Sequence, residues 1–128
     1  MKYGNFSFYS ERRDVDFDLN GVALDWVDLA KVDVHYLDFL KKYGQYSRDD
    51  GLVLYEAEDL CERNLTFETN IYAPGYLLIG DDSGGTGFLL RVKDGGIYSS
   101  GLGDMSPNYF KFITTGFEDW AKNDFKID

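Results

Sequence analysis

The sequence is short of several things, and each shortage excludes something. It holds one cysteine, Cys61, so no internal disulfide can form, and a reducing compartment is its simplest home. It holds one histidine, His35, and with one residue of each kind no His/Cys cluster is available for zinc or iron. No apolar run approaches the roughly 18–20 residues that span a membrane. The start, MKYGNFSFYS, lacks the basic-then-apolar pattern of a secretory signal. A cytoplasmic protein that does not enter membranes is therefore expected. Positive charge is also scarce: 13 Lys and Arg face 23 Asp and Glu, for a net charge of −10. A phosphate-binding surface needs the opposite sign, which argues against nucleic acid as a partner.

What is present is apolar and aromatic. Of 128 residues, 44% are apolar and 17% aromatic, too rich a mixture for disorder. A chain of this length buries roughly two-thirds of its unfolded surface, enough for one core, and a single domain over residues 1–128 is expected. Fourteen glycines against two prolines suggest many tight turns, as in a sheet-rich domain. The acid is concentrated early: residues 1–70 carry 15 acids and 8 bases, and residues 71–128 carry 8 and 5. Such a field suits a basic protein partner. It equally serves solubility alone, and both readings stay open at this point.

Residues 14–27, DVDFDLNGVALDWV, alternate like a strand, and Asn20-Gly21 is the preferred pair for a two-residue hairpin turn. Folding there makes one face apolar and gathers Asp14, Asp16, Asp18 and Asp25 on the other. A helix starting near Asp25 is the competing reading. Residues 33–43 read as a helix capped by Asp33, with Val34, Leu37 and Leu40 on one face, Tyr36, Phe39 and Tyr43 beside them, and Gly44 as a stop. A polar loop (45–51) leads to a short strand (52–55). A short helix (56–64) should bury Ala57, Leu60 and Cys61. Residues 65–73 read as extended. Strong apolar strands follow at 75–80 and 87–92, then strands at 95–100 and 109–113. A last helix, capped by Thr114 or Thr115, should pack Phe117, Trp120 and Ala121. Adjacent strands joined by tight turns predict an α+β domain: a twisted antiparallel sheet with helices packed against it.

The stretch GDDSGGTG (80–87) invites catalytic readings. Asp82-Ser83-Gly84-Gly85 looks like the loop bearing the serine nucleophile of chymotrypsin-like proteases. Those enzymes need two barrels and a longer chain, and a triad is defined by geometry rather than residue order. A phosphate loop joins a strand to a helix, whereas here strands flank the loop, and Asp81 and Asp82 would repel phosphate. Asp14, Asp16, Asp18 and Asp25 fall at calcium-loop positions, but Leu19 stands where that loop requires glycine. No catalytic, metal or cofactor residue is therefore assigned. Asn5-Phe6-Ser7 and Asn64-Leu65-Thr66 match the glycosylation triplet and, without a secretory signal, read as chance matches.

The stretch from Leu60 to Val92 resembles the SUKH superfamily, which groups a fungal cell-wall assembly regulator with bacterial immunity proteins. The features are ERN (62–64), YAPGY (72–76) and IGDDSGG (79–85), then an apolar strand. YLDFL (36–40), DGLVLYEAEDL (50–60), GIYSSG (96–101) and FEDW (117–120) extend the resemblance to about residues 33–121. It implies a binding module without catalytic residues or cofactor. Many bacterial relatives bind and block a cognate toxin domain, often a nuclease; the fungal relative implies instead a regulatory or scaffold domain. On this reading Tyr72, Pro74, Gly75, Tyr76, Gly80, Asp82, Ser83, Gly84 and Gly85 carry the motif and have structural work: positive φ, a rigid bend and turn hydrogen bonds. At least one of Tyr72 and Tyr76 should be core. Against a basic toxin domain, the candidate contacts are Asp14, Asp16, Asp18, Asp25, Asp81 and Asp82.

Overall fold

A computed structural model describes residues 31–43 and 45–127. The hairpin expected over 14–27, its four aspartates and the stop at Gly44 lie outside the described residues. Helix α1 (Val34–Lys42) forms where its pattern predicts. Asp33 caps it, the side chain accepting from the backbone N–H of His35 at 3.1 Å. Its core face is more aromatic than expected: Tyr36, Phe39 and Leu40 are buried, whereas Val34 is 69% exposed. The helix has turned its large rings inward and left the first-turn valine to solvent.

Six strands follow in a single antiparallel sheet, each next to its neighbour in sequence: β1 (Tyr46–Ser47), β2 (Val53–Leu54), β3 (Tyr76–Asp81), β4 (Thr86–Arg91), β5 (Ile97–Gly101) and β6 (Lys111–Thr114). Helices α2 (Ala57–Thr66) and α3 (Thr69–Tyr72) occupy the connection from β2 to β3, and α4 (Phe117–Lys122) is the last element of the described residues. The result is the α+β class predicted, with four helices packed on one antiparallel sheet.

Four local expectations need correction. The loop over 45–51 contains β1, because Tyr46 is buried and pairs with Leu54. Residues 65–73 are not extended. Helix α2 runs to Thr66, Glu68 takes φ +53, and α3 begins at the buried Thr69. The Thr, Phe, Ile and Tyr of that stretch favour strands only where a pleated surface awaits them. Cys61 is half-buried, and Asn64 fills the third buried position of α2. Gly116, not a threonine, stands at the N-cap of α4; the Phe117 N–H is met by the Asp33 carboxylate at 3.4 Å, and Thr115 bonds Asp119 instead.

The core sits between α1, α4 and one sheet face. Phe117 meets Tyr36 and Phe39 with ring centroids 5.2 and 5.0 Å apart, and Trp120 meets Phe88 of β4 at 5.5 Å. Phe125, buried beyond α4, meets Trp120 edge-on at 5.0 Å. On the opposite face, cross-strand pairing aligns Leu78, Leu89, Tyr98 and Phe112. Tyr76, Tyr98 and Phe110 cluster there, while Phe112 at the sheet edge is 53% exposed.

Candidate functional site

The GDDSGGTG stretch forms the β3–β4 turn and docks on the β1–β2 turn. Asp82 organises it: one carboxylate oxygen accepts the N–H of Gly84 at 2.8 Å and of Thr86 at 3.0 Å. Partial burial works to raise its pKa, but the Thr86 and Gly84 hydrogen bonds outweigh this and hold the carboxyl below its ordinary range. Asp81 accepts the Ser83 N–H at 2.9 Å through one oxygen and the Tyr55 hydroxyl through the other. Burial, then the Asp81 carboxylate, push the Tyr55 phenol well above its ordinary pKa. Ser83 adopts φ +65 and donates its hydroxyl to the Gly51 carbonyl at 2.7 Å. Positive φ thus falls on Ser83 and Gly85, with Gly84 outside that region. Gly80 is required for a different reason: a Cβ there would stand 2.4 Å from the Val53 carbonyl oxygen.

The Ala73-Pro74-Gly75 bend forms as predicted. Tyr76 N–H bonds the Ala73 carbonyl at 3.1 Å, and Gly75 takes the φ of +89 that a glycine supplies after proline in such a turn. The core expectation for the two tyrosines is met only in part. Tyr76 is half-buried among Tyr98 and Phe110, and Tyr72 is 54% exposed.

Ser83 and His35 are not brought together. His35 faces Glu118 at 3.4 Å, in a cleft of about 350 Å³ lined also by Asp33, Lys93, Asp94 and Asp119. Ser83 does not line that cleft, and its hydroxyl proton is directed at Gly51. Among the described residues no group of three or more His, Cys, Asp or Glu is placed to hold a metal ion. No helix among them is long and apolar enough to cross a membrane.

Sequence reasoning missed the acidic surface that the structure assembles on α2. Its cap Glu56 and the first-turn Glu58 and Asp59 stand together, with Glu62 one turn on. Glu56 accepts the Gln45 N–H at 3.2 Å. Burial, then a hydrogen bond to Glu58 and the charge of Asp59, raise its pKa above the ordinary carboxyl range. Arg63 offsets little of this: it reaches Glu62 at 3.4 Å and lies over the Tyr55 ring. The run EAEDLCE signalled it, since helical spacing keeps residues three and four apart on one side.

Asn64 is the second residue missed. It is fully buried, and its amide donates to the carbonyls of Leu60 and Leu78 at 2.8 and 2.9 Å. It cannot serve as a glycosylation acceptor in this fold. Neither a protein-family model nor a curated protein matches the chain.

Proposed function

We propose that this chain is a non-enzymatic binding module of the SUKH type, an immunity protein that binds and neutralises a cognate bacterial toxin domain of basic charge. The observation that carries the reading is the crowding of Glu56, Glu58, Asp59 and Glu62 along one ten-residue helix with a single arginine among them. Burial is the main reason the Glu56 pKa is raised, with Glu58 and Asp59 adding to it, and a cationic surface laid against these carboxylates would relieve their mutual repulsion. A nuclease domain, whose own substrate is a polyanion, offers such a surface.

The motif supports the same reading from the opposite direction. ERN, YAPGY and IGDDSGG supply Asn64, Gly75, Gly80, Asp82 and Ser83, and each of these is engaged in holding backbone in place. The residues that suggested chemistry are thus occupied with structure, and the surplus acid remains for contact. The cytoplasm is the compartment where such a protein meets an incoming toxin.

Co-expression with the toxin encoded beside this chain is the direct test. Protection of the cells together with a stable complex is expected. If neither protection nor a complex is found with any neighbouring toxin, the reading is overturned. Capture of an endogenous regulator from cells lacking toxin genes would assign the chain to the scaffold class instead.

A further inference from the structure

The last strand carries a feature that the acidic surface does not use. β6 pairs with β5 on one side, through Ser99–Lys111, Tyr98–Phe112 and Ile97–Thr114, and is the terminal strand in the sheet order. Among the described residues its other side has no strand partner, and Lys111 and Phe112 are exposed. A bulge opposite Ile97 and Tyr98 leaves Ile113 between two paired positions.

Beside this edge runs a groove of about 170 Å³. Lys111, Ile113, Trp120, Lys126 and Ile127 line it, and among the described residues no carboxylate does. Cross-strand pairing places Lys111 with Ser99 and Phe88, on the sheet face that Trp120 covers. Among the described residues neither Lys111 nor Lys126 pairs with an acid. In a chain with 23 acids against 13 bases, two lysines sharing a groove without an acid among its described lining are unusual, although Lys126 also borders a neighbouring cavity that holds Asp50 and Asp124.

We propose that the outer edge of β6, which carries no strand among the described residues, accepts an extended acidic segment of a protein partner as a seventh strand. Its backbone pairs with those N–H and C=O groups of Lys111–Thr114 that face away from β5. An apolar side chain enters the groove beside Ile113 and Ile127, and carboxylates meet Lys111 and Lys126. Strand addition of this kind takes affinity from main-chain bonds and specificity from alternate side chains. A second copy of this chain is the poorer occupant: it would bring the same lysines to the edge and a further net charge of −10. The site lies on a different surface from the α2 acids and has the opposite charge preference, so the two proposals stand or fall separately.

The test uses the whole chain and a labelled peptide alternating Asp with Val, followed by fluorescence anisotropy. Binding is expected, weakened about ten-fold or more by Lys111→Glu with Lys126→Glu, both exposed positions. Peptides N-methylated at alternate residues keep their charge but lose edge bonding. In one of the two methylation registers binding should fall by a similar factor on the unaltered protein. No binding at about 1 mM peptide overturns the proposal. So does equal binding of both methylated forms, which would be charge attraction alone. A molar mass that rises with concentration and returns to the monomer in Lys111→Glu would give the edge to a second copy, and also overturns it.

Discussion

Asn64 pairs with Leu78 as though it were a strand. Its amide donates to the Leu78 carbonyl at 2.9 Å, and the Leu78 N–H donates back to its side-chain oxygen at 2.8 Å. The reason lies in the sheet. β2 pairs with β3 only at Val53–Asp81 and Leu54–Gly80, and the chain then leaves as α2. Tyr55 adds one bond to Ile79, and Leu78 would be next without a partner on that side. Buried backbone groups must be met, and a helical asparagine supplies the missing donor and acceptor. The third bond, to Leu60, ties the same amide to its own helix.

Asn64→Leu should therefore cost about 2–4 kcal/mol, since it leaves the Leu78 N–H and carbonyl buried without partners. Asn64→Asp should be at least as damaging at neutral pH, because it buries a charge and turns a carboxylate on two carbonyls. Acid should narrow the difference, since a protonated Asp can donate to one carbonyl. Urea unfolding midpoints at two pH values check both statements. An Asn64→Leu protein as stable as the parent would show that water or rearrangement serves Leu78 instead.

Gly80→Ala tests the closeness of β2 and β3. The added Cβ would lie 2.4 Å from a backbone oxygen and 2.8 Å from Leu54 Cδ2, so the strands must part. A loss of about 2–3 kcal/mol is expected, at the upper range for overpacking, because backbone rather than a side-chain tip must move. Gly85→Ala meets nothing within 4 Å and is strained only by its φ of +101. It should cost about 1 kcal/mol, in the range for a residue forced left-handed. Thermal unfolding of the two variants should rank them in that order.

Asp82 gives a pH dependence whose sign follows from its lowered pKa. A carboxyl depressed in the fold stabilises above its unfolded pKa, and that contribution disappears as pH falls through the folded value. Asp82→Asn keeps an oxygen for the Gly84 and Thr86 N–H groups and removes the charge. The parent should thus exceed Asp82→Asn at pH 7, with the gap closing below about pH 4. Asp82→Ala should lose about 1–2 kcal/mol at neutral pH, since both N–H bonds go. Chemical denaturation across pH 3–7 distinguishes the two.

The strands were legible because they alternate or run apolar: β3 to β6 lie within a few residues of their sequence positions. Turn chemistry was legible too, in Pro74-Gly75 and in the aspartates of the β3–β4 turn. What was hidden depends on distant partners. Nothing near Asn64 announces that Leu78 needs it, and nothing near Asp33, legible as the cap of α1, announces that it also bonds Phe117 at the start of α4. Residues 65–73 misled because β-branched and aromatic residues there fill a crossing between helix and strand. The acidic candidates divide similarly. Asp81 and Asp82, named for contact, also hold the turn, and Glu58, Asp59 and Glu62 form a second group of acids along α2.

Charge reversal on α2 then separates contact from solubility. Glu58→Lys and Glu62→Lys alter exposed positions, with loss of the Glu58–Glu56 hydrogen bond and the exposed Glu62 contacts, so stability should fall by no more than about 1 kcal/mol. Against a basic toxin domain, the two changes together should slow association about ten-fold at low salt, with less effect on dissociation. The difference should shrink as ionic strength rises, because exposed charges beyond about 10 Å are screened at 0.1 M. Asp14→Asn, Asp16→Asn and Asp18→Asn form the parallel set for the acidic N-terminal stretch. Whichever set changes the association rate locates the contact by stopped-flow fluorescence. If both leave the rate and its salt dependence unchanged, the acid serves solubility and the binding surface lies elsewhere.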